Sequence, residues 1–172
     1  MAKKPTLLNL TQIDMSRTLA TQEDIRKENP HRFEMEMLTG ILYEDLENVV
    51  CAGYQDVSEN AFWVRGHMPG YPIMPGVLIC ECAAQLASYY AKKMKYLDQG
   101  IMAFGGLDNV KFRGQVRPGD RLILVVKLLK GKPNVMMVLQ FEAVVNGEVV
   151  ADGELRGVAI RDAVIELPEE EK

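Results

Sequence analysis

Apolar and polar residues alternate along this chain with two different periods, and the change between them falls near its middle. From Val77 to Ala87 the chain is apolar in every direction a helix could turn it, and only Glu81 and Gln85 interrupt the run. The stretch continues without Gly or Pro to Tyr96. It is rich in Ala and Leu and gathers Lys92, Lys93 and Lys95 in its last turns, where the helix dipole favours cations. The pattern predicts one long helix over 77–96, buried on all sides because it is apolar on all sides. Before it, apolar runs of strand length occupy 33–45, 47–57 and 61–66; after it they occupy 107–117, 120–130, 134–145 and 148–160. Asn146-Gly147 between two apolar runs predicts a hairpin, and Pro118-Gly119-Asp120 and residues 98–100 predict further turns. Residues 14–28 predict a short amphipathic helix with Met15, Leu19 and Ile25 on one side, ended by Asn29-Pro30. One long helix with five to seven mostly antiparallel strands makes an α+β domain, a curved sheet wrapped on a helix.

Composition narrows the class. At 172 residues, 48% hydrophobic and 26% charged, the chain has the length and balance of a single globular domain. The expected layout is an N-terminal extension over 1–24, a domain over 25–162 and a solvated tail over 163–172. A net charge of −4 argues against nucleic acid, whose phosphates need a concentrated basic face. No apolar run approaches a bilayer span, and the first residues lack an apolar stretch of signal-peptide length, so no membrane insertion is expected. Three cysteines at unpatterned spacings fit a reducing cytoplasm better than a disulfide framework. Cys80 and Cys82 lie two apart on the helix, on nearly opposite sides, and no acidic or histidine cluster accompanies them. They read as small core residues, and neither a metal nor a cofactor is expected.

Candidate chemistry gathers around the helix start. Glu81 and Gln85 stand four apart, so they share a face and reach each other. Burial without a cation favours the neutral form of a carboxyl group, the state a general acid needs; a structural Glu–Gln contact at a helix edge fits the same pattern equally well. His67 through Gly76 holds three prolines and two glycines in ten residues, a stiff turning loop without regular structure. Pro75-Gly76 starts the helix, which leaves the N–H groups of Gly76 and Val77 among the unpaired first-turn donors that can hold an oxyanion. His67 opens that loop and is one of only two histidines. A histidine base, a neutral carboxyl and an oxyanion hole together suit proton abstraction beside a carbonyl. The other histidine, His31, sits in Pro30-His31-Arg32 and reads as a turn or structural residue. Tyr89, Tyr90 and Tyr96 read as core or interface aromatics.

The run from His67 through Pro75-Gly76 to Glu81 and Gln85 resembles the signature of the FabZ-type 3-hydroxyacyl-acyl-carrier-protein dehydratases, in which a catalytic His precedes a catalytic Glu by fourteen positions, as it does here. Pro30-His31-Arg32, the stretch from Phe104 to Arg113, Val116 to Asp120, and Asn146 to Ala151 resemble other family segments in order, so the likeness covers residues 25–160. It implies a hotdog fold whose sheets join across an obligate dimer, often a trimer of dimers. It also implies a lyase of fatty acid biosynthesis, taking (3R)-hydroxyacyl thioesters on acyl carrier protein to trans-2-enoyl products without a cofactor. Carried over by position, His67 is the base at C2 and Glu81 of the partner the acid at the C3 hydroxyl. Gly76, with Val77, supplies the N–H for the thioester carbonyl, and Gln85 orients Glu81. Met68 stands where the family usually has Phe, a change that bears on tunnel packing, and Tyr71 is a candidate tunnel residue. An acidic carrier needs a basic patch, for which Lys92, Lys93, Lys95, Lys111, Arg113, Arg117 and Arg121 are candidates, with solvated surface charge the plainer reading of each. Two rivals stand beside this reading: a hotdog thioesterase using Glu81 to activate water, and a non-catalytic paralogue that binds acyl chains or carrier protein.

Overall fold

In the computed structural model, which describes residues 6–166, the chain runs through β1 (Ala20–Thr21), α1 (Gln22–Arg26), β2 (Gly40–Asp45), β3 (Val50–Asp56), α2 (Gly76–Lys93), β4 (Ile101–Phe112), β5 (Arg121–Lys132), β6 (Met136–Val145) and β7 (Glu148–Ile160). The seven strands form one sheet in the order β1-β2-β3-β5-β6-β7-β4, and every neighbouring pair is antiparallel. Register shifts at Ile41/Tyr43, Phe104/Gly106, Asp108/Lys111, Leu128/Lys130 and Ala143/Val144 mark bulges, which sharpen the local bend and let the sheet curl around α2. The main core lies between that concave face and the helix, where Cys82, Ala83, Leu86, Tyr89 and Tyr90 meet Leu122, Leu124, Leu139 and Phe141. At the β6–β7 hairpin Asn146 and Gly147 both have positive φ, 50° and 80°, as a tight two-residue turn requires.

The convex face is covered as well. Leu7, Leu8, Leu10, Ile13 and Met15 pack against Leu42, Val50, Ala52, Tyr54, Ile123, Val125 and Val144. The Leu7 N–H donates to the buried Glu142 carboxylate at 2.8 Å. Both faces of β5 are therefore dry, which explains why Leu122 to Val126 is continuously apolar rather than alternating.

Several expectations are corrected. Over 33–45 only β2 is a strand: Phe33–Met35 forms a turn of 3-10 helix, and Phe33 at φ 57° cannot continue an extended run. No strand forms over 61–66: residues 62–66 are consecutive turns, with Val64 N–H bonded to Ala61 O and Gly66 N–H to Trp63 O, and Trp63 is buried from a loop. The helix expected over 14–28 shrinks to α1, which begins where Thr21 and Asp24 form a reciprocal capping box; earlier, Asp14 diverts the chain by accepting from Ser16. Strand β4 starts six residues sooner than its apolar run, because Gly105-Gly106 sits at a bulge and does not break the strand. Helix α2 ends at Lys93, and Lys95 turns left-handed at φ 57°. Its first turn is not buried: Val77 is 70% exposed. Of the expected C-terminal tail, residues 167–172 lie outside the described residues.

Candidate active site

Glu81 is held from one side by a buried amide. The Gln85 Nε2 donates to Glu81 Oε1 and to Met35 O, each at 2.8 Å, while Gln85 Oε1 accepts from Met37 N–H at 3.1 Å. With its oxygen engaged by a backbone donor, the amide presents only N–H to the carboxyl. The 3-10 turn and the residues after it supply those partners, so the segment misread as a strand is what fixes Gln85. The Glu81 side chain remains 23% exposed and borders a cavity of about 170 Å³. Gln85 and His31 line the same cavity, whose walls are largely apolar and include Met102, Phe104, Met137 and Leu139.

Sequence reasoning did not place His31 at this cavity. Its Nε2 lies 3.4 Å from Glu81 Oε1. Burial pushes the imidazole below its ordinary pKa, opposed in part by the negative charge of Glu81. Its Nδ1 is buried without a hydrogen-bond partner among the described residues. Arg32 braces the turn by donating to Asn29 O and His31 O, and Asn29 ties the turn to α2 by donating to Gln85 O at 2.8 Å. The Pro-His-Arg turn was legible; that it folds back against the helix was not. The scarcity of histidine was the available signal.

His67 occupies the loop before α2 and does not line the Glu81 cavity. Its Nδ1 is 2.7 Å from Ile73 O, its N–H bonds to Trp63 O and its own carbonyl accepts from Ile73 N–H. A carbonyl only accepts, so Nδ1 carries the proton and Nε2 of a neutral ring is left with its lone pair. Met68 and Tyr71 exchange backbone hydrogen bonds and are both about half exposed. The Tyr71 hydroxyl donates to Gln115, and Arg117 lies over the Tyr71 ring. Neither Met68 nor Tyr71 borders the cavity in the single chain. Pro75 caps α2 without a side-chain bond, so the Gly76 and Val77 N–H groups stand in an unsealed first turn. Gly76 is required there by close approach, since a Cβ would lie 2.7 Å from the Phe112 ring.

The basic candidates divide between the two ends of α2, which at 18 residues is about 27 Å long. Lys92 and Lys93 share Glu28 at 3.9 and 3.8 Å, and Lys95 follows them. Near the helix start are Lys111, Arg113 and Arg117; Arg113 is paired with Asp152 at 2.5 Å. Arg121 is paired with Asp56 at 2.6 Å and stacks on Tyr54. The structure thus does not bring the seven together, and four of them already have acidic neighbours. Cys80 and Cys82 are buried, and burial raises both thiols, Cys80 to about 11. Among the described residues no three His, Cys, Asp or Glu side chains cluster as for a metal ion, and no helix is long and apolar enough to cross a membrane.

Comparison with known proteins gives a match to the FabA-like domain over residues 29–154. Among solved structures, the dehydratase heterocomplex ApeI:P from Xenorhabdus doucetiae superposes with a TM-score of 0.67 at 18% identity, covering 80% of this chain and 91% of that one. A sigma28-regulated virulence protein from Campylobacter jejuni gives 0.59 at 15% identity, covering 86% and 98%. Thioesterase superfamily member 2 from Mus musculus gives 0.54 at 12%, covering 72% and 83%. At these identities the likeness is one of fold: a long helix wrapped by an antiparallel sheet, the hotdog arrangement.

Proposed function

The chain belongs to the FabA-like domain family, and from that premise we propose that it eliminates water from (3R)-hydroxyacyl thioesters borne by acyl carrier protein, giving trans-2-enoyl thioesters in fatty acid synthesis, as a FabZ-type dehydratase. The observation that carries the reading is a carboxyl fixed by the Gln85 amide at the edge of an apolar cavity, in a chain whose loop before α2 leaves one nitrogen of His67 as a base. In the reaction, His67 Nε2 takes a proton from C2. The charge that builds on the thioester oxygen is held by the Gly76 and Val77 N–H groups, and Glu81 gives its proton to the departing C3 hydroxyl, which leaves as water.

His67 and the Glu81 cavity do not meet in one chain, so the site is completed by a second copy. Strand β4 suits that role: it is the long strand at the sheet's end, and Phe104, Leu107 and Phe112 are 46, 40 and 52% exposed on it. Pairing of two β4 edges would continue the sheet and cover those side chains. Lys111, Arg113 and Arg117, at the Gly76 end, are the better placed of the basic candidates for an acidic carrier. The decisive assay incubates the protein with a 3-hydroxyacyl-carrier substrate and follows the conjugated enoyl product, beside His67→Ala. Product with the native chain and its loss in the variant are expected.

A thioesterase reading is favoured by one observation. Glu81, Gln85 and His31 assemble within a single chain without His67, an arrangement suited to activating water. Thioester hydrolysis that survives His67→Ala, without enoyl product, would establish that reading instead.

A further inference from the structure

We propose that His31 is a positioning residue for Glu81, donating from Nε2 to Oε1 so that the proton Glu81 transfers resides on Oε2. The inference rests on the dehydratase reading above. Two side-chain nitrogens converge on one carboxyl oxygen: Gln85 Nε2, which donates at 2.8 Å, and His31 Nε2, which lies 3.4 Å away. A proton on Oε1 would face both donors, whereas a proton on Oε2 leaves Oε1 free to accept from both. When Glu81 carries its proton, that proton is therefore assigned to one atom. Contacts of this kind are often long in an unliganded site and shorten around the reacting group.

The imidazole is suited to that task as a neutral ring. Three charged groups bear on it: Glu81 from α2, and Arg32 and Glu36 from the segment before β2. Glu36 is engaged by Arg26, and Arg156, which lines the cavity from β7, by Asp108 at 3.0 Å. Burial outweighs the attraction of Glu81, so near neutrality the ring has one N–H. The opposite tautomer would turn a nitrogen lone pair toward Oε1 and leave the donor on Nδ1, which has no acceptor.

Two measurements test this. Nitrogen-15 NMR of the histidine-labelled native chain at pH 7, assigned with His31→Phe, should show His31 neutral with its proton on Nε2. Its titration should lie below the ordinary 6.5, because burial disfavours the charged ring. In steady-state dehydration, His31→Phe should lower kcat by about 3- to 10-fold, the scale of a lost hydrogen bond between neutral groups, with little change in KM. His31→Gln, which can offer an N–H from a similar position, should recover much of the loss. A proton on Nδ1, a charged ring at pH 7, or native kcat in a folded His31→Phe protein would overturn the inference. Failure of the dehydratase reading shows separately, as a native chain that makes no enoyl product.

Discussion

One nitrogen of His67 is already committed to Ile73 O, so replacing the ring removes a base without leaving a charge behind. His67→Ala and Glu81→Gln should each reduce dehydration by about 10²–10⁴-fold, the range general acid–base groups supply, while circular dichroism and melting stay close to native. Activity within tenfold of native in either variant would remove that residue from the chemistry. Gly76 is constrained by a different force, the Phe112 ring lying against it. Gly76→Ala must displace that ring, so its cost in stability and turnover should be smaller in a Phe112→Ala background. Additive effects in that double-mutant cycle would contradict the contact. His31 adds a pH dependence of stability. Its folded pKa is depressed, so as pH falls through 6.5 the unfolded chain binds a proton first and stability drops, levelling off below the folded value. Above 6.5 both states are neutral and the term vanishes. Melting curves of native and His31→Phe chains should therefore diverge in slope below pH 6.5 and run parallel above it.

Helix α2 and the segment before β2 work as a pair: the helix offers Glu81 and Gln85, and the irregular 29–37 segment returns Met35 O, Met37 N–H and the His31 ring to them. Pattern reading handled the helix well because its apolar run is long, and it handled the later strands well because β5, β6 and β7 are bounded by strong turns. It failed at 33–39 and 61–66, where buried residues such as Met37, Leu38 and Trp63 are apolar for reasons of packing and not of strand period. Leu10, in the N-terminal segment, packs into both clusters on the convex face. Leu10→Asp should cost about 1–3 kcal/mol, the range of a polar intrusion into packed surface. For a chain of this size that is roughly 2–12 °C in Tm by calorimetry. Unchanged melting would mean that the segment merely rests on the sheet.

At the scale of the whole molecule, the dehydratase reading requires two copies. An isologous dimer has two sites, each taking His67 from one protomer and Glu81 from its partner. Mixing inactive His67→Ala and Glu81→Gln proteins, unfolded and refolded together, should restore about one quarter of native activity, since half the dimers are mixed and each has one intact site. No recovery in mixed dimers verified by mass spectrometry would place the whole site in one chain. Leu107→Lys on the exposed β4 edge should shift sedimentation toward monomer and abolish turnover together. Basic residues near Gly76 make a further demand: with a carrier-bound substrate, KM should rise with salt, as association between opposite charges is screened.

The sequence alone determined the parts whose information is local. The α2 run, the Asn146-Gly147 turn, the stiff His67–Gly76 loop and the four-residue spacing of Glu81 and Gln85 all follow from short-range geometry that neighbours in the chain specify. Only the tertiary structure decided which distant groups meet: that Gln85 is clamped by Met35 and Met37, that His31 reaches Glu81 from fifty positions away, and that His67 stays outside the cavity of its own chain. Those contacts depend on how the sheet curls around the helix and how a loop folds back, and no periodicity in the chain encodes a meeting between segments so far apart.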